Sequence, residues 1–368
     1  MTFGQIALWG LVVGFVMSMV IITGFAYTTL LERKVLARMQ ARVGPNRAGY
    51  IPLPGRGGQE KKLLAGFLQP AADAVKLFFK EDPTPGKADK VVYNIAPMLA
   101  VIPAILILAV IPWAGKIPGL VPEQYSYFAI VPGLNVAVLF VLAVTSISVY
   151  GVVLAGGASN SKYAVVGGIR ASAQMISYEL ALGVIILIPI MMANSMDLGV
   201  IVEAQRPVWF VFIQPLAALV FFIAALAELQ RAPFDLLEAE QELSAGFNVE
   251  YAGMRFGMFF MAEYMKMISL SAIFATFFLG GYGGPFVDRF PWLGIVYILA
   301  KIIAGLFLMI WIRATLPRFR YDQLMGFGWK VMLPIAVLNF VVTAVLIVMA
   351  EEGTLTPLIE SVKLFFAG

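Results

Sequence analysis

Long apolar stretches alternate with shorter polar ones along almost the whole chain. A helix needs about 20 mostly apolar residues to cross the hydrocarbon core of a bilayer. Eight stretches meet this requirement: residues 5–31, 94–113, 132–155, 171–192, 208–227, 255–279, 292–312 and 329–350. The pattern predicts an all-α integral membrane protein with about eight transmembrane helices in one membrane domain, residues 1–368.

Composition supports a lipid environment and limits the chemistry. Hydrophobic residues make up 61% of the chain and charged residues 13%, whereas a soluble domain has about 25% charged residues. The sequence contains no cysteine and no histidine. These residues are the usual ligands of zinc, haem and iron–sulfur clusters, so we expect this chain to bind no such cofactor. Proton chemistry would then depend on carboxylates, lysine, arginine, tyrosine and water.

The distribution of basic residues predicts the orientation. Spans that start outside place residues 32–93, 156–170, 228–255 and 313–330 in the cytoplasm, and these segments hold 20 of the 26 lysines and arginines. The outside segments hold four, and two lie within spans. No basic residue precedes the first span, unlike in a cleaved signal peptide. We therefore expect both termini to lie outside.

The long segment after the first span contains two different parts. Residues 67–80 are too short and too charged to span, but their apolar residues recur at helical spacing: Phe67, Ala71, Val75 and Phe78. We expect an amphipathic helix at the membrane interface. Residues 50–65 are rich in glycine, proline and charge, which predicts a surface loop.

Four ionisable residues lie inside the apolar stretches: Glu179, Glu263, Lys266 and Lys301. Charges within a membrane are costly and therefore mark candidate functional sites. The two glutamates lie eight residues from the inner ends of their spans, about 12 Å deep at the rise of an α-helix. Lys301 lies at a similar depth from the outer end. This spacing predicts a buried polar layer near mid-membrane, either a proton relay or a set of structural ion pairs.

The segment 227–251 is unusually acidic. It contains one basic residue, Arg231, and six acidic residues: Glu228, Asp235, Glu238, Glu240, Glu242 and Glu250. A capping box formed by Asp235 and Glu238 would account for two of these acids. A cluster of carboxylates that stores protons would account for the rest.

Six segments resemble one family. They are ERKVLARMQARVGPNRAG (32–49), LQPAADAVKLFFKED (68–82), SKYAVVGGIRASAQMISYEL (161–180), AELQRAPFDLLEAEQEL (227–243), EYAGMRFGMFFMAEY (250–264) and RATLPRFRYDQLMGFGWK (313–330). In this order, and over nearly the whole chain, they resemble the H subunit of NADH–quinone oxidoreductase, respiratory complex I. The resemblance implies eight transmembrane helices, amphipathic helices and the membrane side of a quinone chamber.

The resemblance also implies roles for individual residues. The chamber residues would be Glu32, Arg33, Arg38, Asp73, Lys76 and Arg231, and the proton relay would comprise Glu179, Glu228, Glu238, Glu240, Glu242, Glu250 and Glu263. Quinone would be the substrate, and FMN and iron–sulfur clusters would belong to partner subunits. The expected partners are the peripheral-arm subunits at the quinone site and small membrane subunits, in a bacterial inner membrane, with no nucleic acid.

Two features depart from the family pattern. Leu237 replaces the usual proline of the acidic motif, which can shift the start of a helix there. Residues 50–65 are additional, near the expected entrance for quinone.

Three other functions are compatible with the same residues: a stand-alone proton-coupled transporter, a structural membrane anchor, or the equivalent subunit of a membrane-bound hydrogenase. Many transporters contain an internal repeat, which this sequence lacks. Co-purification with cluster-bearing partners would distinguish a complex I subunit from a transporter.

The predicted orientation can be tested because the chain is free of cysteine. We expect cysteines introduced at Ser126 and Ser244 to react with an impermeant thiol reagent from opposite sides of the membrane. Labelling of both positions from the same side of intact cells would contradict this topology.

Overall fold

The computed structural model describes residues 3–49, 51–53, 61–63, 66–118, 121–122, 125–235 and 246–352. The helices of these ranges are α1 (Phe3–Met39), α2 (Gln69–Phe79), α3 (Lys90–Val110), α4 (Ala137–Ala158), α5 (Lys162–Ala193), α6 (Leu198–Ala204), α7 (Phe210–Ile213), α8 (Pro215–Glu228), α9 (Gly253–Phe278), α10 (Leu293–Thr315), α11 (Tyr321–Phe327) and α12 (Leu333–Glu351). A π-helical segment, Gly328–Met332, joins α11 to α12.

Seven helical segments in the described ranges are long and apolar enough to cross a membrane: Trp9–Met39, Lys90–Val110, Ala137–Ala158, Lys162–Ala193, Gly253–Phe278, Leu293–Thr315 and Tyr321–Ala350. The protein is therefore an all-α, multi-pass integral membrane protein, as its hydrophobic pattern predicts.

The stretch expected to form the fifth span, residues 208–227, is not one continuous helix. It consists of α7 and α8, which meet at Gln214. Pro215 disfavours helical geometry at the residue before it, and Gln214 has φ −127° and ψ 61°. The resulting apolar helix Pro215–Glu228 has 14 residues, fewer than a straight span needs.

Helix α9 lies at the centre of the bundle. Within its most apolar stretch 72% of residues are buried, compared with 11% for α1 and 28% for α10. The exposed apolar side chains of the peripheral helices suit contact with lipid, because lipid tails are as apolar as the side chains themselves. The central helix carries Glu263 and Lys266, so the fold places these two residues inside the bundle.

The four segments that hold most of the basic residues lie together at one end of the bundle. They are residues 32–93, 156–170, 228–255 and 313–330. The backbone N–H of Asp89 donates to Ala158 O at 3.2 Å, and Arg255 pairs with Asp82 at 3.3 Å. Residues after α8 and after α10 also meet here, where Phe319 N donates to Pro233 O at 3.0 Å.

The other three connecting segments, residues 114–131, 193–207 and 280–291, meet at the opposite end. Tyr127 Oη donates to Asp197 Oδ1 at 2.8 Å, and Arg206 pairs with Asp288 at 3.3 Å. Burial raises the pKa of Tyr282 in this region to about 12, so its hydroxyl group stays neutral. Which end faces the cytoplasm stays a prediction from charge.

The expected helix at residues 67–80 corresponds to α2, Gln69–Phe79. Its apolar side chains Val75, Phe78 and Phe79 are exposed, which suits a helix at a lipid interface. The expected loop at residues 50–65 contains a short hairpin, in which Ile51–Leu53 pairs antiparallel with Lys61–Leu63. The expected surface loop thus contains a short strand pair, which its glycine- and proline-rich composition did not predict.

Close helix contact depends on a glycine near the end of α4. A Cβ atom at Gly156 would lie 2.6 Å from the backbone oxygen of Ala164 on α5, which cannot easily move. At the adjacent Gly157, a Cβ atom would meet open space among the described residues, with nothing from another segment within 4 Å.

These neighbours make a matched pair of variants. We expect Gly156→Ala to destabilise the protein by about 1–3 kcal/mol, because overpacking forces the two helices apart. Gly157→Ala should be neutral or slightly stabilising, because alanine favours a helix more than glycine does. Thermal unfolding of the purified membrane protein measures both. Equal melting temperatures for the two variants would contradict this account of the contact.

Candidate functional site

A buried network of charged side chains joins three helices at the basic end of the bundle. Arg231 Nη1 donates to Glu32 Oε1 at 3.1 Å, and Arg231 also forms an ion pair with Glu263. Arg313 on α10 pairs with the same oxygen of Glu32. The side chains of Arg231 and Glu32 are only 5% and 4% exposed. Two acids thus balance two bases, which a buried charge cluster requires.

The loop that carries Arg231, residues 229–235, is held from two sides. Gln174 Nε2 on α5 donates to Ala227 O and to Phe234 O, both at 2.8 Å. Arg318 pairs with Asp235 at 2.9 Å. These contacts satisfy backbone groups of an irregular buried segment and fix the position of Arg231.

The electrostatic environment keeps Arg231 charged. Burial alone would lower the pKa of its guanidinium group, but the neighbouring carboxylates of Glu263 and Glu32 hold this pKa above its ordinary value. The guanidinium carbon also lies 4.6 Å from the ring centroid of Tyr264, a cation–π contact. Arg231 is therefore a permanent positive charge between two acids.

A cavity of about 60 Å³, large enough for a few water molecules, lies beside this network. Three ionisable side chains line it: Glu228, Glu263 and Lys266. Gln230 and Asn248 also line it, one on each side of the segment 236–245. The cavity therefore connects the flanks of the acidic segment with ionisable groups inside the bundle.

Glu179 lies on the far side of this group. Its carboxylate accepts hydrogen bonds from Ser146 and, at 3.4 Å, from Thr145 of α4. It interacts electrostatically with Glu228 and Lys266. Glu179, Glu228, Glu263 and Lys266 thus form one group. Depth along the helices predicts this grouping for Glu179 and Glu263 but not for Glu228.

Lys301 does not join this polar layer, contrary to the expectation from its depth. Its ammonium group donates to Gly281 O at 2.7 Å and to Gly283 O at 2.8 Å, in the loop that follows α9. It also lies 4.8 Å from the ring centroid of Trp209. A lysine side chain is long and flexible, so its ammonium group can lie far from the depth of its own Cα atom. The position of Lys301 along the helix therefore did not predict where its charge lies.

The other residues expected at the quinone chamber lie near α2. Arg33 forms an ion pair with Asp73, which also accepts from Gln69 Nε2 at 3.1 Å. The side chains of Arg38 and Lys76 are exposed. Glu32 is not at this surface but in the buried network with Arg231.

Part of the acidic segment lies outside the described residues, namely Glu238, Glu240, Glu242 and the unusual Leu237. Asp235 pairs with Arg318, and the capping box expected with Glu238 involves residues outside the described ranges. The backbone carbonyl of Glu250 accepts from Tyr93 Oη at 2.7 Å, and Tyr93 stacks on Tyr251 at 4.1 Å. The return of the segment to α9 is therefore anchored on α3.

Three residues of the site were not singled out from the sequence: Gln174, Arg313 and Arg318. Both arginines follow the seventh apolar stretch, where they also serve the charge bias that orients a membrane protein. Gln174 is a neutral residue within a span. Only their contacts in the folded protein, with Glu32, Asp235 and the loop 229–235, show that these three residues belong to the site.

Fold and site together define a class: a multi-pass helical membrane protein with a closed ion-pair network and a carboxylate-lined cavity at one end. A family model for NADH dehydrogenase matches residues 12–344. A protein of Geobacter metallireducens, named as an H subunit of NADH-quinone oxidoreductase, is 48% identical over 332 residues, covering 88% of this chain and 90% of that protein. The chain belongs to this family, the H subunits of NADH–quinone oxidoreductase.

Relatives from other bacteria agree. Proteins from Syntrophotalea carbinolica and Thermomicrobium roseum, also named as H subunits of NADH-quinone oxidoreductase, are each 46% identical. The match covers 91% and 90% of this chain, and 93% and 94% of the relatives.

The buried network makes a prediction about stability. We expect Arg231→Met to destabilise the protein by about 3–5 kcal/mol, because it leaves Glu32 and Glu263 without their shared cation. Arg206→Met removes a 60% exposed arginine whose ion pairs lie at the surface, and it should cost less than about 1 kcal/mol. Thermal unfolding in detergent compares the two variants. A melting temperature of Arg231→Met as high as that of Arg206→Met would exclude a stabilising role for the network.

Proposed function

We propose that the chain is the membrane subunit of a proton-translocating NADH–quinone oxidoreductase of a bacterial inner membrane. In this proposal it forms the membrane side of the quinone chamber and links quinone reduction to proton transfer through carboxylates. Family membership supports the assignment of this chain to an NADH–quinone oxidoreductase complex. The observation that carries the coupling role is the cavity shared by Glu228 and Glu263, beside the flanks of the acidic segment.

The chemistry divides between this chain and its proposed partners. Reduction of a quinone to a quinol consumes two electrons and two protons. With no cysteine or histidine, this chain lacks the usual ligands of an electron carrier. FMN and iron–sulfur clusters in peripheral-arm partners would supply the electrons. The part of this chain would be to hold the quinone and to respond to its change in charge.

The route for that response follows from the contacts. A carboxyl group near mid-membrane must be paired, hydrated or neutral. Glu263 is paired with Arg231, whereas Glu228 faces the cavity and is only 4% exposed. Water in the cavity would connect both groups with Gln230 and Asn248 at the flanks of the acidic segment. Protonation changes at Glu238, Glu240 and Glu242 would thereby reach the bundle interior.

The quinone entrance is proposed at the surface between α1 and α2. Arg33 and Asp73 form an ion pair there, and Phe78 and Phe79 of α2 are exposed. Aromatic side chains at a lipid interface suit the passage of an apolar quinone tail. Arg38 and Lys76 add positive charge at the same surface.

The function can be tested in the assembled complex reconstituted into vesicles. We expect Glu228→Gln and Glu263→Gln each to lower quinone reductase turnover and proton uptake together, by about tenfold or more. The reason is that a neutral amide cannot take up or release a proton, and general acid–base groups contribute about 10²-fold or more.

Glu203→Gln is the matched control, because Glu203 is exposed and its ion pair with Arg206, at 3.9 Å, lies at the surface. Iron–sulfur content of each preparation reports assembly. Glutamine variants that assemble and pump like the control would show that these carboxylates are structural, and the proposed mechanism would be wrong.

A further inference from the structure

Lys266 is a buried cation that the ion-pair network does not use. It lies one helical turn beyond Glu263 on α9 and is only 9% exposed. Glu263 already has Arg231 as its direct partner. A buried ammonium group without a compensating charge would be strongly unfavourable. Glu263 lines the same cavity but shares its negative charge with Arg231, so Lys266 needs a further acid.

Two further carboxyl groups interact with Lys266, from two other helices. Glu228 at the end of α8 shares the cavity with it, and Glu179 on α5 interacts with it electrostatically. Glu228 and Glu179 also repel one another. Within the described residues, Lys266 is the cation that faces this pair.

The charge balance of this group determines its proton content. Two ionised carboxylates and one ammonium group would carry a net charge of −1 in a buried setting, which is costly. One proton on the pair of carboxyl groups makes the group neutral. Without the ammonium group, neutrality would require a proton on both carboxyl groups.

We propose that Lys266 is a positioning residue that keeps one exchangeable proton on the pair Glu228 and Glu179. This inference rests on the proposed function, because it assigns a role within the same proton path. In this proposal Lys266 keeps its positive charge throughout the transfer. A proton that arrives at one carboxyl group is balanced by a proton that leaves the other, so the group returns to neutrality after each transfer.

Lys301 shows what a purely structural lysine looks like in the same fold. Its ammonium group is held by the carbonyl oxygens of Gly281 and Gly283, and no carboxylate is among these partners. In the described part of the chain, Lys266 has no comparable set of backbone acceptors and lines a cavity with Glu228 instead. The contrast favours an electrostatic role for Lys266.

The test uses the assembled complex and three variants: Lys266→Met, Lys266→Arg and, as a matched control, Lys301→Met. We expect Lys266→Met to lower turnover by about tenfold or more, because loss of a neighbouring cation changes the ionisation of a carboxyl group by at least that factor. Lys266→Arg keeps the charge and should retain most of the activity.

Infrared difference spectra between the oxidised and the quinol-reduced complex supply a second measurement. The wild-type complex should show a C=O change of a protonated carboxyl group that Glu228→Gln abolishes. Lys266→Met should also lose this change, because both carboxyl groups stay protonated, while Lys266→Arg and assembled Lys301→Met should keep it.

The outcomes separate this inference from the proposed function. Normal turnover and a normal infrared change in Lys266→Met, beside an impaired Glu228→Gln, would overturn the role of Lys266 alone. Equal impairment of Lys266→Met and Lys266→Arg with an unchanged infrared signal would show a structural role and also overturn it. Normal turnover in Glu228→Gln would overturn the proposed function itself.

Discussion

The rest of the structure depends on the pairing of Arg231 with Glu32 and Glu263. A single guanidinium group connects the end of α1, the centre of α9 and the loop after α8. Burial makes the arrangement obligatory, because each charge would be strongly destabilising without its partners. Since Arg313 neutralises the remaining charge, the network closes on itself and holds four segments of the chain in one geometry.

The network of Arg231 lies directly beside the carboxylates of the proposed proton path. Arginine stays protonated, so Arg231 supplies a fixed positive charge beside these acids. Glu228 lines a small cavity together with Lys266, and Glu179 interacts electrostatically with both. The fixed charge of Arg231 thus lies close to the acids of the proposed proton path, with Glu263 and Lys266 one turn apart on α9.

The two ends of the bundle differ in how deeply their charged side chains are buried and in what those side chains pair with. At the basic end, charged side chains are buried and paired across helices. At the other end, surface pairs such as Arg206 with Asp288 are exposed, and Lys301 binds backbone carbonyls. Interactions of the second kind contribute little net free energy or serve only the local backbone. The buried charges, and with them the proposed chemistry, are therefore concentrated towards the basic end.

The sequence by itself determined the all-α membrane fold, because 20-residue apolar runs and the bias of basic residues are one-dimensional signals. It also identified Glu179, Glu263 and Lys266, since a charge within an apolar run is visible without a structure. Tertiary structure decided the partners: Arg313 with Glu32, Gln174 with the loop 229–235, and Lys301 with Gly281 rather than with the glutamates. It also decided the break at Gln214. Pairing depends on where side chains from distant segments meet, and neither hydropathy nor depth along a helix contains that information.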